Sequence, residues 1–182
     1  MPALLLAATA VVAAGCAHTG AGKLNTGTHD FSISGAGFET TARVTTSGLQ
    51  GPQIDVGRYD NGNTFRGTAF HRPVDLTVSN GSVKGLWGRI PFTLDVSDPT
   101  PQGFKVNGLI AGVPSAFSVS PDRIEGTIGH CAYDLGRSGN TYLGSRSCRG
   151  AIDQVTLRVP ESMAEWSDAD VAVALSLLLP AV

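Results

Sequence analysis

The chain has little charge, few cysteines and no apolar stretch long enough to cross a membrane as a helix. Charged residues make up 15% of its 182 residues, and the formal net charge is −2. A near-neutral chain without a basic cluster argues against a nucleic acid partner. The uncharged apolar stretch over residues 3–14 has only 12 residues, whereas a spanning helix needs roughly 20.

Recognisable catalytic and metal-binding patterns are also missing from the sequence. The four histidines show no metal-ligand spacing, no G-x-S-x-G elbow occurs, and residues 85–88 do not form a G-x-G-x-x-G loop. Residues 60–63 faintly resemble a calcium loop but lack the downstream glutamate at the required spacing. We therefore predict no cofactor, no metal and no enzymatic activity, although catalytic groups scattered along a chain leave no such pattern.

What the sequence does have is a cysteine directly after the N-terminal apolar stretch. Residues 12–16 read Val-Ala-Ala-Gly-Cys, and small residues followed by cysteine resemble the lipobox of bacterial lipoproteins. The resemblance implies that residues 1–15 are a signal peptide and that the thiol of Cys16 carries lipid, including palmitate. Ala17 stands where an inner-membrane lipoprotein commonly has aspartate, so the outer membrane is favoured. An ordinary secretory signal or a short buried helix remains the alternative for this stretch.

The composition after Cys16 divides the chain into three further parts. Residues 16–28 contain the lipidated cysteine and a small, polar, glycine-rich segment, which is typical of a flexible tether. Strand signals recur every 8–12 residues from 29 to 159, which predicts one β domain. Residues 160–182 contain the convincing helical pattern.

The two remaining cysteines are predicted to pair with each other. The dipeptide Gly139-Asn140 is a two-residue hairpin signal. A hairpin centred there sets Tyr133 opposite Arg146 and Cys131 opposite Cys148. An oxidising envelope compartment allows that pair to form a disulfide. A metal or redox role is the alternative, but the sequence contains no C-x-x-C motif and no neighbouring ligand cluster.

An internal repeat organises the middle of the chain. A tripeptide of apolar residue, polar residue and glycine occurs at 65–67, 83–85, 106–108 and 124–126. Proline follows six positions after the first three of these glycines, and leucine or phenylalanine follows nine positions after all four. Each unit is interpreted as two short strands, with the glycines at bends that curl the sheet.

Turn signals fix the expected register of these strands. Asn80-Gly81 sets Val78 against Val83 and Val74 against Trp87, so apolar side chains meet on one face. Asn61-Gly62 sets Ile54 opposite Ala69. We therefore predict a mainly β fold, an antiparallel meander of repeated short hairpins curled into a barrel-like or sandwich sheet.

Basic side chains precede two of the repeat prolines. They are His71, Arg72 and Arg89. We interpret them as solvent-exposed side chains at bends of the chain. The alternative is that they form a polar rim of the sheet.

The C-terminal segment is predicted to form a buried helix packed on one face of the sheet. Pro160 suits a first helical position, and Ser167-Asp168 suits the cap of a helix over 169–179. Apolar residues spread around that helix rather than along one stripe. A second membrane anchor is the alternative, but 11 residues are too few to span a bilayer.

Together these features predict a lipid-anchored envelope protein, outer membrane being favoured, that acts as a non-catalytic structural, assembly or binding module. Its expected partners are the membrane, through the lipid on Cys16, and an envelope protein. A carrier that holds a lipid or another apolar ligand in a curled sheet is the second hypothesis, and a hydrolase is the third.

Overall fold

The structure, a computed structural model, describes residues 26–28 and 30–180. The predicted signal peptide over residues 1–15 and the predicted lipidation site Cys16 lie outside the described residues, as do the next nine residues of the predicted tether. The predicted β domain and the C-terminal helix lie almost entirely within them.

The described chain contains fifteen strands, two short 3-10 turns and one α-helix. The strands are β1 (Thr26–Thr28), β2 (Asp30–Gly35), β3 (Phe38–Thr45), β4 (Gly48–Gly51), β5 (Ile54–Tyr59), β6 (Thr64–Ala69), β7 (Arg72–Ser79), β8 (Ser82–Trp87), β9 (Ile90–Thr100), β10 (Gly103–Ile110), β11 (Val113–Val119), β12 (Arg123–Ile128), β13 (Cys131–Ser138), β14 (Thr141–Cys148) and β15 (Ala151–Pro160). The 3-10 turns are Asp60–Gly62 and Glu161–Glu165, and the helix is α1 (Asp168–Leu178).

Strands β2 to β15 form a closed antiparallel barrel. Each strand pairs with the next one along the chain, and β15 pairs back onto β2, with Leu157 opposite Ile33. The prediction of a curled antiparallel meander is therefore confirmed. Because the sheet closes on itself, it is a barrel and not a sandwich. Strand β1 adds a parallel pairing to β15 at Val159 and Pro160, so the last three residues of the predicted tether form a strand instead.

The predicted hairpin registers are present in the barrel. Val78 faces Val83 and Val74 faces Trp87 across the 80–81 turn. Ile54 faces Ala69 across the hairpin predicted at residues 61–62. These registers follow from sequence because a slip by one residue would turn every apolar side chain of the strand to the solvent.

The repeat in the sequence arises from one recurring cross-strand pair. The leucine or phenylalanine of each unit lies opposite the glycine of the next unit, as Leu76 lies opposite Gly85 and Leu94 opposite Gly108. At Gly85 the backbone has φ +157°, and an added Cβ would lie 2.0 Å from the Asp75 carbonyl oxygen. Only glycine permits that approach of the two strands, so the repeated glycines shape the wall.

The barrel buries its apolar side chains inwards. Along β7 the inward residues Val74, Leu76 and Val78 are buried, whereas the intervening Asp75 and Thr77 are exposed. This alternation, with its period of two, recurs around the wall. The buried side chains of the strands and of α1 belong to one continuous apolar cluster.

Helix α1 lies inside the barrel rather than against one outer face. Its first turn contacts β5 through an Arg58–Asp170 ion pair, and its last carbonyl, at Leu179, accepts a hydrogen bond from Tyr133 on β13. Contacts with β8, β9 and β10 lie between these. A helix that is apolar all round must be surrounded, and residues 169–178 are all buried.

The width of the barrel explains why a helix is needed. About eight strands enclose a lumen that side chains alone can fill, and the diameter grows with strand number. Fourteen strands leave room for a helix, whose diameter with side chains is about 10–12 Å. The start of α1 is fixed by Ser167, which accepts a hydrogen bond from the Asp170 amide while the Asp170 carboxylate accepts one from the Ser167 amide. Among the described residues no helix is both long and apolar enough to cross a membrane.

Candidate functional site

The direction of α1 gives the barrel two distinct rims. We name the rim at which α1 begins the lower rim; it comprises residues 46–47, 60–63, 80–81, 101–102, 120–122, 139–140 and 161–168. The rim at which α1 ends is the upper rim, which comprises the seven two-residue turns 36–37, 52–53, 70–71, 88–89, 111–112, 129–130 and 149–150. Pro180, just beyond α1, packs against Gly129 of the upper rim, where an added Cβ would lie 2.7 Å from the proline ring.

The turns of the two rims carry opposite charge. The seven turns of the upper rim contain no Asp or Glu but include the cationic or titratable side chains His71, Arg89, His130 and Arg149. The residues that define the lower rim contain no Lys or Arg but include Asp60, Asp122, Glu161, Glu165 and Asp168. The turns themselves thus differ in charge, although Arg58, Arg123 and Arg137 lie at the strand ends beside the lower rim and pair with acidic groups there.

The upper rim contains a concave pocket beside the end of α1. Its volume is about 450 Å³, within the range of about 300–1,000 Å³ that small-molecule sites occupy. It is lined by Phe70, Arg72, Trp87, Ile90, Ile110, Ala111, Val113, Gly129, His130, Arg149 and Pro180. Four of the upper-rim turns thus contribute to a single pocket.

Two aromatic side chains form one apolar wall of this pocket. The rings of Phe70 and Trp87 meet edge to face with their centroids 6.5 Å apart, a favourable arrangement for aromatic pairs. Trp87 is fixed by a hydrogen bond that its Nε1 donates to the Ala69 carbonyl oxygen at 3.1 Å. Ile90, which is 38% exposed, and half-buried Val113 extend the apolar surface. The wall is therefore rigid and already formed.

The turn that supplies Phe70 is conformationally costly. Phe70 and His71 have φ values of +51° and +63°, a left-handed conformation that bulky residues rarely adopt. Hairpin turns of this kind normally use Asn-Gly because glycine meets no steric penalty there. Ala111 and Arg149, which also line the pocket, have φ values of +49° and +50°. Strained backbone of this kind is concentrated at functional sites in proteins.

Three basic side chains also line the pocket. Arg72, His130 and Arg149 are all exposed. None of the eight ion pairs that join described residues involves Arg72 or Arg149. Their guanidinium groups are therefore uncompensated by carboxylates of the described chain, and the pocket combines an apolar wall with positive charge.

The predicted cysteine pair lies directly below these turns. Cys131 faces Cys148 in the predicted register, and their sulfur atoms lie 1.99 Å apart, which is a disulfide distance. The prediction of this pair is confirmed. The pair joins β13 to β14 next to the turns 129–130 and 149–150, which carry His130 and Arg149. It therefore ties together the two turns that supply His130 and Arg149 to the pocket.

A buried tyrosine and arginine form the next inward pair below the disulfide. Tyr133 faces Arg146, as predicted, and its hydroxyl donates a 2.7 Å hydrogen bond to the Leu179 carbonyl oxygen. Burial raises the pKa of Tyr133 to about 12, and the Arg146 cation beside it opposes that rise. The Arg146 guanidinium also lies 3.7 Å from the Phe38 ring centroid and pairs with Asp153 at 3.0 Å. These contacts hold the end of α1 to the wall.

Two other clefts of the described chain contain carboxylates as well as basic side chains, so their charge is at least partly compensated within the cleft. In the larger of them, of about 610 Å³, Arg43 pairs with Asp30. In the other, Arg123 pairs with both Glu125 and Asp134. The described residues include no cluster of three His, Cys, Asp or Glu placed to hold a metal ion. The upper-rim pocket is therefore the candidate functional site.

Sequence reasoning identified only part of this site. It singled out His71, Arg72 and Arg89 and interpreted them as solvated bends, with a polar rim as the alternative. In the structure Arg72 lines the pocket, and the other two lie in upper-rim turns, so the polar rim is the better description. The contributions of Phe70 and Arg149 were missed. One sequence feature could have pointed to them: basic residues recur among the alternate turns of the meander, which all lie at one end of a barrel.

Comparison of the chain with protein-family models, curated proteins and solved structures finds no match.

Proposed function

We propose that this protein is a lipid-anchored protein of the bacterial envelope that serves as a non-catalytic binding module. The lipobox-like sequence ending in Cys16 supports the anchor. The single observation that carries the binding role is the upper-rim pocket, an already formed concavity lined by Arg72 and Arg149, which join no ion pair among the described residues. The rest of the barrel supports and orients this pocket.

The position of β1 supports a defined point of attachment for the anchored protein. Strand β1 pairs with the end of β15, at Val159 and Pro160, so the chain reaches the barrel at the lower rim. The nine residues 17–25 span at most about 30 Å when fully extended. An anchor at Cys16 therefore joins the barrel to the membrane from the lower-rim side.

The alternative of a carrier with a ligand inside the barrel receives less support. Such a carrier needs an apolar lumen that its ligand can enter. Here α1 occupies the lumen, with Leu175 and Leu177 fully buried among inward residues of the wall. A binding module that uses its rim accommodates a filled lumen, and a lumen carrier does not.

Processing and fractionation test the anchored part of the proposal. We expect the mature protein to have a blocked N-terminus, to incorporate labelled palmitate and to partition into detergent. Cys16→Ser should release the protein into the soluble fraction, whereas the control Cys148→Ser should leave labelling and partition unchanged. An unblocked N-terminus elsewhere, with membrane association unchanged in Cys16→Ser, would contradict the anchor.

A further inference from the structure

We propose that the upper-rim pocket binds a small organic anion with an apolar body, such as a medium-chain or aromatic carboxylate. The inference rests on the proposed binding function and names its ligand class. It depends on the coincidence of two features in one cavity: the Phe70–Trp87 wall and the charges of Arg72 and Arg149.

The size and shape of the pocket favour a small molecule. A cavity of about 450 Å³ is of a size that accommodates a small-molecule ligand. A rigid aromatic wall contributes binding energy at low entropic cost, because Trp87 is already held by its hydrogen bond to the Ala69 carbonyl oxygen. Burial of an aliphatic chain or an aromatic ring against this wall is favourable in proportion to the apolar area removed from water.

The charge of the pocket selects an acidic head group. Guanidinium groups donate parallel hydrogen bonds to carboxylate, phosphate or sulfonate oxygens, and Arg72 and Arg149 have no carboxylate partner among the described residues. A neutral apolar ligand would leave these cations without a partner.

A purely structural role of these arginines makes a different prediction. Cations near the C-terminal end of a helix interact favourably with its dipole, by about 0.3–1 kcal/mol each. That role requires only charge near α1 and is met equally by Arg89, which lies on the same rim but does not line the pocket. Arg89 is therefore a matched control for the two arginines of the pocket.

The binding test uses the full chain carrying Cys16→Ser and the anionic dye anilinonaphthalene sulfonate, with Nile red as the neutral dye. We expect saturable binding of the anionic dye at one site. The double variant Arg72→Gln and Arg149→Gln should weaken that binding by about ten- to a hundredfold, while Arg89→Gln should change it by less than about twofold. Unchanged affinity in the double variant would overturn the proposal, as would an equal loss in Arg89→Gln, which would indicate a diffuse basic surface.

Competition experiments distinguish the contribution of the ligand's apolar chain from that of its acidic group. Octanoate and octanol share an apolar chain and differ in charge, and inorganic phosphate has the charge without the chain. We expect octanoate to displace the dye at concentrations at which neither octanol nor phosphate does. Equal displacement by octanol would reduce the site to an apolar patch, and displacement by phosphate alone would reduce it to a simple anion site. Either result overturns the ligand class and leaves the anchor at Cys16 to be judged by fractionation.

Discussion

The two rims of the barrel both consist of the connections between neighbouring strands, and they differ in the charge of their turns, in packing and in what they present to the surroundings. The turns of the lower rim are acidic, the chain reaches the barrel there at β1, and beside these turns an ion pair between Arg58 and Asp170 at 2.6 Å holds the start of α1. The upper rim is basic, holds the end of α1 through a neutral hydrogen bond, and leaves Arg72 and Arg149 facing a cavity. The charged pair beside the lower rim stabilises the fold, whereas the arginines at the upper-rim pocket remain available to a ligand.

Removing the element that joins the two rims should have the largest effect. Truncation after Asp168 deletes the helix that fills the barrel, including Leu175 and Leu177, and each fully buried leucine contributes roughly 1.5–3 kcal/mol. We expect the truncated chain to lose its cooperative thermal transition, measured by circular dichroism. A truncated chain that stays folded and binds Nile red more tightly would show that α1 is a removable plug and would bring the carrier hypothesis forward.

Breaking the lower-rim ion pair should cost less than truncation but more than any surface pair. Arg58 and Asp170 are 17% and 2% exposed, and removal of one partner from such a pair costs about 3–5 kcal/mol because the other charge is left buried. Arg58→Met is therefore expected to lower the free energy of unfolding by this amount in urea denaturation. The control Arg43→Met breaks the exposed pair with Asp30 and should cost less than about 1 kcal/mol. Equal costs would contradict the assignment of Arg58 as the anchor of α1.

Opening the disulfide should loosen the upper rim. The paired cysteines enclose a loop with a sequence separation of 17, and closure of a loop of that size stabilises by about 3 kcal/mol in the chain-entropy model. The double variant Cys131→Ala and Cys148→Ala should lower the melting temperature while leaving the far-UV circular dichroism spectrum unchanged. Two free thiols in the unreduced, denatured wild-type protein would refute the pairing.

The buried tyrosine should make stability fall at high pH. Because the pKa of Tyr133 is raised from 10.0 to about 12 in the folded protein, the folded state retains the phenol proton after the unfolded state has lost it. The contribution is full below pH 10 and is lost as the pH rises through 12, about 2–3 kcal/mol in all. Tyr133→Phe should remove this part of the pH dependence in denaturation curves. An identical alkaline slope in the variant would show that another group causes it.

Local parts of the fold were predictable from sequence, and long-range parts were not. The 139–140 hairpin followed from turn chemistry and alternation, both of which are encoded within a few residues. Closure depends on β15 meeting β2, whose residues Leu157 and Ile33 are far apart in the chain, and no local pattern specifies that contact. The spread of apolar residues around α1 predicted burial correctly, but its place inside the barrel follows only once fourteen strands close.

The pocket was less predictable than the barrel, for a related reason. Its lining comes from turns at 70–71, 111–112, 129–130 and 149–150. These turns meet only because alternate turns of a closed meander lie at the same end of the barrel. The sequence pattern marked Arg72 as a bend residue but contained nothing that linked it to Arg149. Sites assembled from several turns of a scaffold are commonly of this kind.

The central claim is that ligands meet this protein at its basic upper rim and not inside the barrel, and amide chemical-shift mapping tests it most directly. The full chain carrying Cys16→Ser would be titrated with octanoate. We predict that the shifted amides cluster at residues 70–72, 87–90, 110–113 and 129–130 and at Arg149, and that the indole signal of Trp87 moves while that of Trp166 at the lower rim stays in place. Shifts concentrated along α1 or at the lower-rim turns would contradict the account.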